Sequence, residues 1–186
     1  MGTEAGSAEL SGAALGSWNA PDLTSNPLIN IGSWRRDQLM TYLKAGHVKG
    51  KAQAAGPVAE AVTNSLQHLS DDDISAIVTY LQSLPAVSHP GQAKPTGDFG
   101  SPAGMAGDSD VRGTQPMSSA IPADITGKAL YDTTCASCHQ TSGTGTADGF
   151  YPSLFHNTAT GGNTPNNLVS AIRFGVQREV NGKEVL

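Results

Sequence analysis

The 186-residue sequence contains little of what large hydrophobic cores and nucleic-acid-binding surfaces require. Aromatic residues make up 5% and hydrophobic residues 38% of the chain, so small domains built from it are expected to need a cofactor or a covalent staple. The formal net charge is −5 and no basic run occurs, which argues against binding to nucleic acid. No apolar run approaches the roughly 20 residues of a membrane-spanning helix, and residues 1–6 have neither the basic nor the apolar part of a signal peptide.

Cysteine occurs only as Cys135 and Cys138. A disulfide across so short a gap would be strained, so a structural staple is not expected. The run Cys135-Ala136-Ser137-Cys138-His139 has instead the C-x-x-C-H spacing that attaches c-type haem. Two thiols on one turn can each form a thioether to a haem vinyl group, and the next residue places an imidazole over the iron. The motif predicts one covalent haem c with His139 as an iron ligand.

Two other readings of the cysteine pair remain open but are weaker. A thioredoxin-like redox pair would follow a strand in a βαβ unit, whereas a short helix is predicted before Cys135. A structural zinc site needs four ligands, and only distant histidines could complete the set. The other histidines and the methionines near the motif are poor candidates for iron ligands, with Met117 as the fallback; they are His47, His68, His89, His156, Met105 and Met117.

Apolar spacing and capping residues predict an all-α fold. A first helix is predicted from a cap at Ser33 to Lys44, with Gly46 as its stop, and a short helix over 58–66. Ser70 and three aspartates begin a clearer helix that Pro85 closes. A helix capped by Asp124 or Thr126 delivers Cys135, and a last one runs from Asn166 or Asn167 to Phe174, ending at Gly175.

Composition predicts four segments along the chain. Residues 1–16 are small and polar and are expected to be disordered, and 17–87 form a small helical domain. Residues 88–122 are rich in Pro, Gly, Ser and Asp and are predicted to be a linker. Residues 123–186 form the domain that carries the haem motif.

Two patterns around the motif strengthen the haem interpretation. Gly127-x-x-x-Tyr131-x-x-x-Cys135 resembles the N-terminal helix of small class I cytochromes c. The segment Tyr151-Pro152-Ser153-Leu154 resembles the loop that follows the haem motif in that fold. The resemblance implies that Tyr151, Pro152 and Leu154 line the haem pocket.

The chain as a whole resembles the multihaem cytochrome c subunit of bacterial membrane-bound dehydrogenases that oxidise alcohols, gluconate or sorbitol. Residues 124–186 look like most of that subunit's third haem domain. The segments that look like the later part of its second haem domain are 18–24, 31–34, 42–46 and 76–81. The resemblance implies small class I cytochrome c-like domains joined by the Pro/Gly-rich linker.

The sequence departs from the family pattern at two places. Residues 1–87 contain no cysteine, and Val58 stands where the family has a methionine ligand, so 17–87 are expected to be a partial domain without haem. Leu186 lies about where the family's next residues supply the distal methionine. The chain is therefore expected to be a fragment whose haem domain is truncated before that ligand and the C-terminal helix.

In intact relatives this subunit transfers electrons and is not itself an enzyme. The resemblance implies that a catalytic dehydrogenase subunit of quinoprotein, flavoprotein or molybdenum type delivers electrons to it, and that ubiquinone receives them. It also implies a periplasmic location at the outer face of the cytoplasmic membrane, with membrane association only through the complex. The alternatives are a five-coordinate haem protein that binds a small ligand, as a sensor or peroxidase-like protein, or a non-functional gene fragment.

Overall fold

A computed structural model describes residues 10–91, 93–98, 126–158, 161–162 and 164–185. These residues form six α-helices: α1 (Arg36–Ala45), α2 (Gly56–Asn64), α3 (Asp71–Ser83), α4 (Gly127–Thr134), α5 (Ala136–His139) and α6 (Asn166–Phe174). They also form three antiparallel hairpins: β1 (Ala13–Leu15) with β2 (Trp18–Ala20), β3 (His47–Val48) with β4 (Ala52–Gln53), and β5 (Arg178–Val180) with β6 (Lys183–Val185). Short 3₁₀ turns cover Asn30–Ser33, Leu66–His68 and Thr96–Asp98. In the ranges described, no helix has the length and apolar character needed to span a membrane.

The all-α prediction is confirmed only in part, because the chain is mostly helical but contains the three hairpins. The first hairpin also corrects the prediction that residues 1–16 are disordered. Residues 10–16 form β1 and its turn, and Leu23 N–H donates to Leu10 O at 2.8 Å. Residues 1–9 lie outside the described part of the chain.

The described residues fall into two compact units. The first comprises those of Met1–Phe99 and His156–Leu186, and the second those of Gly100–Phe155. Residues 156–158, 161–162 and 164–185 belong to the first unit, together with the N-terminal helices. Part of the predicted linker is packed as well: Thr96 is buried, and its N–H donates to Leu28 O at 3.0 Å.

Two hydrophobic clusters form the core of the first unit. One contains Trp34, Leu39, Ala52 and Val78, and the other contains Ala54, Ala59 and Val62. The helices around them begin and end at local signals. Helix α3 has the predicted cap, since Ser70 Oγ accepts from Asp73 N–H at 3.1 Å, and α1 ends at Gly46 with a φ of 69°.

Helix α1 starts later than predicted, because Ser33 belongs to the preceding 3₁₀ turn. Arg35 is the actual N-cap, and its N–H donates to Gln38 Oε1 at 3.0 Å. Helix α2 also begins earlier than the predicted 58–66 helix, at Gly56, and residues 66–68 continue it as a 3₁₀ turn.

Helix α6 packs on β2 mainly through its polar side. The Asn167 side chain accepts from Asn19 N–H at 2.8 Å and donates to Asn19 O at 3.0 Å, and the buried Ser170 hydroxyl donates to Ser17 O at 2.7 Å. Apolar side chains of the same helix lie in solvent, where Ile172 is 74% exposed. Its bounds, from Asn166 to Phe174 with Gly175 as C-cap, are those that the sequence predicts.

Candidate functional site

Helix α4 delivers the cysteine motif within the second unit. Its N-cap is Thr126, whose hydroxyl accepts from Ala129 N–H at 3.2 Å; the alternative cap, Asp124, lies outside the described residues. Cys135 follows the last turn, and its N–H donates to Tyr131 O at 2.8 Å. Within the helix, the buried Asp132 carboxylate accepts from Lys128 Nζ, one turn earlier, at 2.5 Å.

The two cysteines lie at either end of one helical turn. The N–H groups of Cys138 and His139 donate to Cys135 O at 3.2 and 3.0 Å, so the turn is closed at the spacing of the motif. Both thiols are free and half-buried. The pair is therefore available for thioether formation and is not used as a disulfide.

His139 has one ring nitrogen fixed by the protein. Its Nδ1 lies 2.9 Å from Pro152 O, and a carbonyl oxygen can only accept, so Nδ1 carries the proton. The unprotonated Nε2 is then the atom that can donate a lone pair to a metal. A hydrogen bond from the ring nitrogen that does not bind the metal is the usual way in which proteins orient a metal-binding imidazole.

The loop between His139 and Pro152 is folded tightly enough to bring the two residues together. Gly145 N–H donates to His139 O at 3.0 Å, and Leu154 N–H donates to Gly143 O at 2.9 Å. A Cβ at Gly145 would lie 2.6 Å from the Pro152 carbonyl carbon, so this approach requires glycine. Gly145 also has a φ of 71°, which L side chains adopt only with strain.

The predicted pocket residues Tyr151, Pro152 and Leu154 all lie in this unit and are half-buried. The Tyr151 ring centroid is 6.3 Å from that of His139, in an edge-on arrangement. The Cys138 sulfur beside the phenol raises the pKa of Tyr151, first through their hydrogen bond and then through its charge. Tyr151 is therefore close to both His139 and Cys138.

The backbone next to His139 involves two residues that the sequence did not single out as site residues, Gln140 and Tyr131. Gln140 has φ 65° and ψ 157°, a region that is essentially restricted to glycine. The Tyr131 hydroxyl donates to Gln140 O at 2.6 Å. Partial burial, and after it the neighbouring Cys135 and Asp132, raise the pKa of Tyr131, so the phenol stays in the protonated form that can donate.

The weaker candidates are placed elsewhere or lie outside the described residues. His156 belongs to the first unit, where its Nδ1 lies 2.7 Å from Gly97 O, and His89 Nε2 pairs there with the buried Asp22 at 2.8 Å. Met105 and Met117 lie outside the described residues. In the described ranges, no group of three or more His, Cys, Asp or Glu side chains is placed so that it could hold a metal ion.

These residues fit a covalent c-type haem. The thiols form no disulfide and have the required spacing. His139 Nδ1 is hydrogen-bonded to Pro152 O, so Nε2 is the nitrogen that can bind iron. Apolar side chains are present in the same unit. Leu130 is 38% and Phe150 51% exposed. The chemistry that this donor set supports is thioether attachment together with imidazole ligation of iron.

Comparison with known proteins finds similarity to cytochromes c. The model of the cytochrome c family matches residues 125–179. The fructose dehydrogenase cytochrome subunit of Gluconobacter japonicus is 46% identical over 182 residues, which are 97% of this chain and 37% of that protein. The quinone alcohol dehydrogenase cytochrome c subunit of Gluconacetobacter polyoxogenes is 35% identical over 164 residues, or 88% of this chain and 32% of that protein.

A third relative, the gluconate 2-dehydrogenase cytochrome c subunit of Pantoea cypripedii, is 31% identical over 169 residues, which are 83% of this chain and 35% of that protein. The chain thus spans about a third of the length of the curated relatives it matches. It contains one cytochrome c domain, in which Cys135 and Cys138 fit a C-x-x-C-H haem c site. Residues 125–179 thus match the cytochrome c family, and most of the chain is similar to one part of the cytochrome c subunits of dehydrogenases.

Proposed function

We propose that the chain attaches one haem c through thioethers to Cys135 and Cys138, with Nε2 of His139 as an iron ligand, and that it carries electrons. The observation that supports this most directly is the 2.9 Å contact between His139 Nδ1 and Pro152 O. This contact places the proton on Nδ1, which leaves Nε2 of His139 able to bind iron. His139 is also the residue that directly follows the second cysteine.

The residues of the second unit have separable roles in this proposal. The haem supplies a one-electron Fe(III)/Fe(II) couple when bound. Cys135 and Cys138 hold it covalently, and Pro152 orients the His139 ring. Tyr151 and Leu154 cover the pocket and limit the access of water. No residue of the site is assigned a role in bond-making on a substrate.

The proposed partners follow from the family. The relatives are subunits of fructose, quinone-linked alcohol and gluconate dehydrogenases, so electrons are proposed to come from the catalytic subunit of such an enzyme and to pass to ubiquinone. The proposed location is the periplasmic face of the cytoplasmic membrane, with membrane association only through the complex. The proposed haem domain is 123–186, of class I cytochrome c type; the family match over 125–179 supports it and includes residues of both compact units.

The attachment chemistry is tested in a host that matures c-type cytochromes in its periplasm. The chain should keep a haem stain on a denaturing gel, because thioethers survive denaturation. Cys135→Ala combined with Cys138→Ala should abolish the stain, whereas Ser137→Ala, within the same motif, should leave it unchanged. A double variant that stains as strongly as the parent would show that the haem is attached elsewhere or not covalently.

The ligand assignment needs a separate variant. His139→Ala should impair maturation or yield a protein with an altered iron spectrum, because the imidazole is lost while both thiols remain. A His139→Ala protein with the parental spectrum and yield would contradict the assignment of His139. Electron transfer is then tested by mixing the oxidised protein with a quinone-linked dehydrogenase and its substrate, and following reduction of the haem bands.

A further inference from the structure

The backbone that follows His139 is held in a strained conformation by two groups of the second unit. Gln140 has a φ of 65° with an extended ψ of 157°, which costs of the order of 1–3 kcal/mol for a residue with a side chain. Such a conformation persists only where its surroundings enforce it. Here Gln140 O accepts from the Tyr131 hydroxyl at 2.6 Å and from Gly143 N–H at 3.0 Å.

The same contacts lead back to the ring of His139. Gly143 N–H bonds to Gln140, while Gly143 O accepts from Leu154 N–H at 2.9 Å. Leu154 lies two residues after Pro152, whose carbonyl oxygen holds His139 Nδ1 at 2.9 Å. The hydrogen bonds therefore form a closed path from the backbone of His139 to its side chain.

Tyr131 is the side chain that fixes this path to helix α4. The other links are backbone groups or the histidine itself, and a glycine is required at position 143, where a Cβ would lie 2.9 Å from the Phe155 ring. Tyr131 lies one helical turn before Cys135, and its carbonyl oxygen accepts from Cys135 N–H at 2.8 Å. One residue thus contacts the backbone on both sides of the motif.

We infer that Tyr131 is a positioning residue for the iron ligand His139, acting through the strained Gln140 carbonyl. The inference rests on the proposed function, in which His139 binds iron. Removal of the hydroxyl should let the Gln140 peptide relax, loosen the 140–154 path and free the imidazole to turn away from Pro152. Orientation and hydrogen bonding of an axial imidazole are among the features by which a protein tunes haem iron.

The first test compares reduction equilibria of haem-loaded, full-length variants. Tyr131→Phe keeps the ring and removes only the hydroxyl; Tyr80→Phe, in the first unit, is the matched control. We expect Tyr131→Phe to change the equilibrium constant for reduction several-fold, where tenfold corresponds to 59 mV for one electron. Tyr80→Phe should leave it unchanged.

A second substitution that restores the parental property distinguishes positioning of His139 from a general effect on stability. Glycine adopts the Gln140 conformation without strain, so Tyr131→Phe combined with Gln140→Gly should return the reduction equilibrium towards the parental value. A purely structural role would lower the melting temperature of Tyr131→Phe and leave the reduction equilibrium where it was. That outcome, or a double variant no closer to the parent than Tyr131→Phe, overturns the inference.

A second measurement needs no haem and covers the case in which Tyr131→Phe fails to mature. In the haem-free protein, ¹⁵N shifts of the His139 ring report which nitrogen carries the proton. We expect the Nδ1–H tautomer in the parent and a larger share of Nε2–H in Tyr131→Phe. Equal tautomer ratios overturn the inference, whereas loss of the covalent haem stain in the parent itself would count against the proposed function and not against this contact.

Discussion

A methyl group at Gly145 should destabilise the haem-attachment unit far more than a methyl group at Gly50. The two glycines have nearly the same φ, 71° at Gly145 and 70° at Gly50. A left-handed conformation costs a residue with a Cβ about 1–2 kcal/mol. No atom lies within 4 Å of a Cβ built at Gly50, whereas at Gly145 the Cβ would meet Pro152 C at 2.6 Å and Pro152 O at 2.8 Å.

The expected magnitudes follow from this difference in space. Gly50→Ala should lower the free energy of unfolding by about 1–2 kcal/mol, from conformation alone. Gly145→Ala should add the roughly 1–3 kcal/mol that overpacking costs, because the atoms it meets are backbone and cannot rotate away. The total is about 2–5 kcal/mol, a large share of the 5–15 kcal/mol that stabilises a typical domain.

The two units can be followed separately in urea. Both tryptophans, Trp18 and Trp34, belong to the first unit, so fluorescence reports on the unit that contains Gly50. Haem absorbance reports on the unit that contains Gly145. Gly145→Ala should also perturb the haem bands in the absence of urea, because displacing Pro152 disturbs its contact with His139. If Gly145→Ala costs no more than Gly50→Ala and leaves the bands unchanged, the loop is not packed as described.

Three further predictions concern the first unit. Ser70→Ala removes the cap of α3 and should cost about 0.5–2 kcal/mol in urea unfolding followed by circular dichroism; a loss below 0.3 kcal/mol would contradict the cap. Burial raises the pKa of Tyr42 from 10.0 to about 12, so stability is full below pH 10 and falls as the pH rises towards 12, by roughly 3 kcal/mol in all. A tyrosinate absorbance titration should lose its step near pH 12 in Tyr42→Phe, and an unchanged titration would refute the assignment. Ser170→Ala should cost about 1–2 kcal/mol through its buried hydroxyl, whereas Ile172→Gln on the exposed side should stay within about 0.5 kcal/mol; the reverse order would show that α6 packs by its apolar side.

The starts of α3 and α4 and the end of α6 were predictable because their signals are local. Ser70, Thr126 and Gly175 begin or end helices as the sequence indicates, since a cap needs only a side chain or a glycine and the adjacent turn. The hairpins were missed because their strands are two or three residues long. That is too short for alternation of polar and apolar residues to be detected.

The site likewise contains residues that the sequence identifies and contacts that it does not. The cysteine pair and His139 are defined by spacing along one turn, so the sequence identifies them without help from the fold. The contact between His139 and Pro152 joins residues 13 apart across a glycine-rich loop, and nothing in their spacing indicates it. The role of Tyr131 was likewise not predictable, because its aromatic ring fits a packing pattern while its hydroxyl makes the contact.

The packing of β5 on the N-terminal helices has a consequence for the order of folding. Arg178 Nε donates to Ala45 O at 3.0 Å, across 133 residues of chain, and the buried guanidinium also reaches Ala54 O at 3.5 Å. These contacts of the first unit therefore cannot form until the residues that follow the whole haem-attachment segment have been synthesised. Long-range closures of this kind are slow.

The haem-attachment segment has the opposite property. The hydrogen bonds described above for the motif and its loop join residues between Thr126 and Leu154 that are no more than 13 positions apart, so these contacts can form soon after the segment has been synthesised. The Cys135–His139 turn and its loop should thus take up their final shape while the helices nearest the N-terminus still wait for their last two strands. In a growing chain, we expect the cysteine motif and its loop to fold before the unit whose residues flank them in sequence.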